Sequence, residues 1–198
     1  VTTALEALAA FGRFAASRGW VPATAGNFSV RLDADHALVT RSGIDKGNVG
    51  PNDVAAVPLA GPIPPGMSAE TPLHLARYKA DAGIGAIVHV HTLAATVLSR
   101  ADAAQGAVHF TDFEMQKALH GITTHAATVA LPIFANDQDT AALAERIEAA
   151  LPASTVPGYL LAGHGLYAWG ATMSDARRHL EGLEFLLACT LEERRITS

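Results

Sequence analysis

Cysteine is almost missing from this chain: Cys189 stands alone among 198 residues. No disulfide can form within the chain, and a reducing compartment, the cytoplasm, is the simpler reading. Charge is scarce too. Asp, Glu, Lys and Arg make up 17% of the residues and sum to −5, whereas a nucleic-acid binder needs clustered Lys and Arg to neutralise phosphates. No block of like charge forms an interaction tail, and there is no internal repeat, low-complexity segment or linker. No apolar run is long enough to span a bilayer. The Ala-rich stretch 5–16 has the look of a signal-peptide core, but Glu6 and Arg13 interrupt it and no basic segment precedes it. A secretory leader is therefore not expected.

Apolar residues are plentiful, at 49%, enough for the core of one domain spanning residues 1–198. The periodicity predicts an amphipathic helix over 3–18, then short strands over 28–32, 37–40 and 53–59. The segment 61–66 holds three prolines and two glycines in six positions and must be loop. A helix is expected from Ser68-Ala69-Glu70-Thr71-Pro72 to about residue 81, because proline costs nothing in a first turn. A buried strand over 86–91 and a helix over 93–100 follow. Helices over 112–119, 137–151 and 174–194 and strands over 127–134, 159–162 and 166–169 complete a mixed α/β pattern.

Nine histidines are many for this length. His89 and His91 lie two apart in a predicted strand, so their rings share one face. His164 sits between Gly163 and Gly165, where small neighbours let a ring approach a crowded site. Three imidazoles with one open position describe a catalytic zinc centre. An isolated His-x-His pair is more simply two hydrogen-bonded core histidines. Burial within the apolar run Ile87-Val88, however, makes an unpaired imidazole pair costly, and a metal removes that cost. His74, four residues after Glu70 on a predicted helix, can touch it and reads as packing or support for the site. His36 reads as solvated. His109, His120, His125 and His179 show no pairing pattern. Gly26-Asn27, Ser42-Gly43 and Ser68 place small residues in loops that can form an anion-binding concavity, although any one of them alone is simply a turn residue.

Taken in order, Thr24-Ala25-Gly26-Asn27, Thr40-Arg41-Ser42-Gly43, Ser68-Ala69-Glu70, His89-Val90-His91 and Gly163-His164-Gly165 resemble the class II aldolase/adducin family over nearly the whole chain. Several short motifs in family order are more specific than any one of them. Phe113-Glu114-Met115-Gln116-Lys117, Leu131-Pro132-Ile133-Phe134 and Arg178-His179-Leu180-Glu181 point further, to the family's dehydratase branch. The resemblance implies a three-layer α/β/α fold around a mainly antiparallel sheet, and a homotetramer with active sites between subunits. It also implies one zinc ion on His89, His91 and His164, and a small phosphorylated ketose as substrate.

In that branch the reaction removes water across C3 and C4 of a pentulose phosphate that carries a methylthio group. Glu114 matches the branch's acid/base glutamate; read alone, it is an exposed residue in a helix's first turn. Glu70 matches the acid/base glutamate of the family's aldolases. Eukaryotic members of the dehydratase branch carry cysteine there, so Glu70 is assigned to substrate or metal-shell contact, with catalysis as second choice. Gly26, Asn27, Ser42, Gly43 and Ser68 match the family's phosphate site. Lys117, three residues beyond Glu114 on a similar helical face, is a further substrate contact. Lys46 and Arg41 are candidates for charge neutralisation, with a solvated surface role equally open. The resemblance also leaves open an aldolase or 4-epimerase on another sugar phosphate, and a non-enzymatic interaction module of the adducin kind.

Overall fold

A computed structural model describes residues 1–151 and 156–197. The apolar stripe near the start folds as α1 (Thr2–Ser17) and buries Leu8, Phe11 and Ala15; Gly19, at φ +70°, turns the chain away from it. Strands β1 (Asn27–Arg31), β2 (His36–Thr40) and β3 (Val54–Pro58) form an antiparallel meander. Helix α2 (Thr71–Ala80) starts at Glu70 and carries its proline in the first turn. It leads to β4 (Ala86–Val90), whose residues are all buried.

Helix α3 (Leu93–Ala101) is capped by Thr92, whose hydroxyl accepts the Ala95 N–H at 3.2 Å. After β5 (Ala107–Phe110) and β6 (Val129–Phe134) comes α4 (Thr140–Ala150), capped by Asp139. Strands β7 (Gly158–Leu161) and β8 (Gly165–Gly170) precede α5 (Met173–Ile196), where Thr172 and Asp175 cap reciprocally. Among the described residues, no helix is long and apolar enough to cross a membrane.

All eight strands join one sheet in the order β3-β2-β1-β4-β8-β7-β6-β5. Strands β6 and β7 run parallel, joined through α4, and the other pairings are antiparallel. The expectation of a mainly antiparallel sheet is thus corrected to a mixed eight-stranded sheet, with β6 and β7 parallel within it. A helix between two paired strands returns the chain to the starting end, which forces parallel pairing.

Because side chains alternate along the strands, both faces of the sheet are apolar. Val88, Val90, Leu166 and Ala168 pack with α1, α3 and α5 on one face; Ile87, Tyr159, Tyr167 and Trp169 pack with α2 and α4 on the other.

Two local expectations also change. The helix expected over 112–119 is a short 3-10 turn, Glu114–Ala118. Asp112 has φ +63°, and the buried Gln116 side chain accepts the Phe113 N–H at 3.1 Å and donates to the Ala127 carbonyl at 2.6 Å. These bonds tie the turn sideways, in place of further helical bonds. Strand β5 is not among the expected elements; four residues at a sheet edge carry too short an alternation to stand out.

On α5, burial pushes the Glu184 carboxyl up to about 7, against the hydrogen bond that Thr92 Oγ1 donates to it at 2.6 Å. A carboxyl raised in the native state keeps its proton longer when folded. Its contribution is therefore fully favourable below the ordinary value of 4.5 and is lost as pH rises to about 7. Glu184→Gln keeps an acceptor for Thr92 and should raise the melting temperature at pH 8, by about 2–4 °C for each kcal/mol recovered in a domain of this size. A smaller rise is expected at pH 5. Thermal melts at both values check this, and equal shifts would remove burial of the charge as the cause.

Candidate active site

His89 lies on the central strand β4, opposite Asn27 of β1 on one side and Tyr167 of β8 on the other. His91 follows just beyond the strand end, on the same face, so the two Nε2 atoms come within 2.9 Å. His164 lies in the tight connection from β7 to β8, with Gly163 at φ +67°. At Gly165 a Cβ would sit 2.3 Å from the Val90 carbonyl oxygen, so only glycine lets the turn close on β4.

Glu70, at the start of α2, completes the group. Its Oε1 is 2.8 Å from His164 Nε2 and 3.5 Å from His89 Nε2. The ligand atoms of Glu70, His89, His91 and His164 all lie within 4.8 Å of one another.

The hydrogen bonds behind these rings decide what the group can hold. His89 Nδ1 faces the Leu166 carbonyl at 3.2 Å, and a carbonyl can only accept, so this nitrogen carries the hydrogen. His164 Nδ1 likewise donates to Asn136 Oδ1 at 3.2 Å. With Nδ1 as the donor, the neutral form of each ring turns its Nε2 lone pair inward, toward a carboxylate oxygen.

Burial pushes His89 well below the ordinary imidazole value, against the pull of Glu70; burial, with His164, lowers His91 as well. Burial alone would raise the Glu70 carboxyl, but His89, His164 and the Asn27 hydrogen bond outweigh it and hold it well below the usual range. Convergent acceptors without donors between them fit a divalent cation. Tyr167, stacked on His89 at 4.0 Å between ring centres, walls one side.

Beside the group lies a cavity of about 280 Å³ lined by Thr24, Gly26, Asn27, Ser42, Gly43, Lys46, Ser68, Glu70 and His91. All the loop residues expected to bind phosphate are thus gathered next to the metal group. Gly26, at φ +79°, packs so close to β4 that a Cβ would meet the His89 carbonyl oxygen at 2.7 Å.

Lys46 is buried rather than solvated. Its Nζ donates to the carbonyls of Thr24 at 3.0 Å and Ile44 at 3.2 Å, pinning the two loops together. Arg41 donates to the Pro65 carbonyl, away from the cavity lining.

Glu114 and Lys117 are elsewhere. They pair with each other at 2.6 Å on the exposed 3-10 turn, with His125 3.7 Å from Glu114. No hydrogen bond or ion pair joins Glu114 to the metal group among the described residues. Two roles were not expected from the sequence: Asn136 orients His164, and Lys46 pins two loops together. His74 proves to be a supporting residue, bonded to Asn27.

The fold is one shared with a class of sugar-phosphate enzymes. Residues 6–191 match the family model described as "Class II Aldolase and Adducin N-terminal domain", and the chain belongs to that family. The L-fuculose-1-phosphate aldolase of Thermus thermophilus has a similar structure, with a TM-score of 0.81 at 30% identity over 98% of this chain and 95% of that one.

Among curated relatives the likeness narrows. The chain is 49% identical to the methylthioribulose-1-phosphate dehydratase of a Bradyrhizobium species, over 100% of this chain and 94% of the relative. It is 50% identical to the enzyme of that name from Parvibaculum lavamentivorans, over 96% and 94%.

Proposed function

We propose that this chain is a cytoplasmic, zinc-dependent hydro-lyase of methionine salvage. It converts 5-methylthioribulose 1-phosphate to 2,3-diketo-5-methylthiopentyl 1-phosphate and water, working as a homotetramer. The observation that carries the reading is the half-identity, over nearly full length, to relatives named for this reaction. The gathered group of Glu70, His89, His91 and His164 supports it.

His89, His91 and His164 hold the zinc, which when bound supplies a Lewis acid for the ketose carbonyl. Gly26, Asn27, Ser42, Gly43 and Ser68 receive the phosphate, with the buried Lys46 ammonium beneath them. Lys117 is a further contact. One carboxylate takes the proton from C3, and the departing C4 hydroxyl needs a proton to leave as water. The enol left behind relaxes to the diketone. Glu114 is proposed for this transfer, with Glu70 contacting substrate or metal and second in line as the acid/base.

Glu114 is 74% exposed at its side chain and bonds to Lys117 rather than to the metal group, so its proposed role calls for the metal group of a neighbouring subunit. Leu93 and Val97 on α3 and Phe185 on α5 are large apolar side chains left exposed, which supports burial against a second copy. Purified protein incubated with methylthioribulose 1-phosphate should release diketone, and chelation should stop it. Carbon–carbon cleavage or 4-epimerisation of another ketose phosphate, without diketone, would replace this reading with the aldolase or epimerase one. An absence of bound metal would favour the interaction module.

A further inference from the structure

Behind the metal group a file of buried polar side chains runs from Glu70 into the core. Asn27 Nδ2 donates to Glu70 Oε2, and Asn27 Oδ1 is 2.5 Å from His74 Nε2. His74 Nδ1 is 2.7 Å from Ser29 Oγ, which is 2.9 Å from the Tyr78 hydroxyl. Asn27, Ser29, His74 and Tyr78 are each at most 2% exposed. The spacing makes the file possible: positions 27 and 29 share one face of β1, and positions 70, 74 and 78 share one face of α2.

The direction of every bond in the file follows from the carboxylate. An ionised Glu70 accepts and cannot donate, so Asn27 must turn its NH2 toward it and its oxygen toward His74. That oxygen needs a donor, so His74 carries its hydrogen on Nε2 and presents a lone pair at Nδ1. Ser29 then donates to His74, and Tyr78 donates to Ser29. The reversed file would set the Asn27 oxygen against the carboxylate, two acceptors in contact in a buried site. Burial also keeps His74 neutral, lowering it to about 4, which leaves one ring nitrogen free to accept.

We propose that His74 is a positioning residue: as the Nε2–H tautomer it locks the Asn27 amide with its N–H toward Glu70 and the phosphate cradle. The kinetic part of this inference rests on the dehydratase reading; the tautomer and the metal affinity do not. In metal-free protein with 15N-labelled histidine, a long-range 1H–15N spectrum should show His74 protonated at Nε2 alone at neutral pH, with the signal assigned by its loss in a His74 variant. Protonation at Nδ1, or at both nitrogens, overturns the proposal.

His74→Gln keeps an N–H that reaches Asn27 Oδ1, whereas His74→Leu does not. Both melting temperatures should fall, that of His74→Leu further, because it also leaves the buried Asn27 oxygen without a donor. His74→Leu should lose about 10–100-fold in zinc affinity, measured by chelator competition, or in turnover, the range seen when support for a metal site is removed. His74→Gln should stay within a few-fold of the parent. Equal losses in the two variants would reduce His74 to a packing residue. Should the protein release no diketone, the spectrum and the zinc affinities still decide the point.

Discussion

Replacing Glu114 by Gln is expected to abolish diketone formation while leaving the zinc content unchanged. General acid–base catalysis contributes about 10²–10⁴-fold, and Gln keeps the size of Glu114 while removing its basicity. The side chain is exposed and held by Lys117 at 2.6 Å, so the fold should not notice the change. Turnover near the parent value would move the proton transfer to Glu70.

The location of Glu114 adds a second measurement. If each active site joins the metal group of one subunit to Glu114 of its neighbour, Glu114→Gln and His164→Ala proteins are each inactive alone. Unfolded together and refolded, they should regain part of the activity, because some interfaces then pair two intact halves. No recovery on mixing would place both groups in one subunit.

Replacing His164 by Ala is expected to remove zinc and turnover together. His164 is 18% exposed at its side chain and sits in a connection between strands, so truncation opens no large hole in the core. His89 is a poorer choice: it is fully buried, bonded to the Leu166 carbonyl and stacked on Tyr167. Loss of a ligand should weaken zinc binding by more than the roughly 100-fold that losing a ligand's supporting hydrogen bond can cost. A Lewis acid worth several kcal/mol corresponds to about a thousandfold or more in rate at 1.36 kcal/mol per decade. Elemental analysis beside the diketone assay checks both. A full zinc complement in the variant would remove His164 from the ligand set.

Much of this site was legible before any coordinates. The alternation of a strand put His89 and His91 on one face, and the glycines around His164 marked a close approach. Both are local rules, and the 2.9 Å between Nε2 atoms follows from them. Gly26, Asn27, Ser42, Gly43 and Ser68 were legible as a set only because their order resembles a family. Other features escaped because their causes are not local. The turn at Glu114–Ala118 departs from a helix because Gln116 bonds to Ala127, eleven residues on. Lys46 looks like any surface lysine until the carbonyls of Thr24 and Ile44 are brought to it.

By itself, the order of residues determined where most helices and strands lie and which histidines face the same way. Those outcomes depend on backbone periodicity and on the conformational freedom of glycine, which act over a few positions. Tertiary structure decided how Glu70 closes on the histidine group, that β6 and β7 run parallel, and that Glu114 stands exposed and apart from that group. Each of these depends on which distant segments meet in the sheet and its covering helices, a choice made by burial across the whole chain.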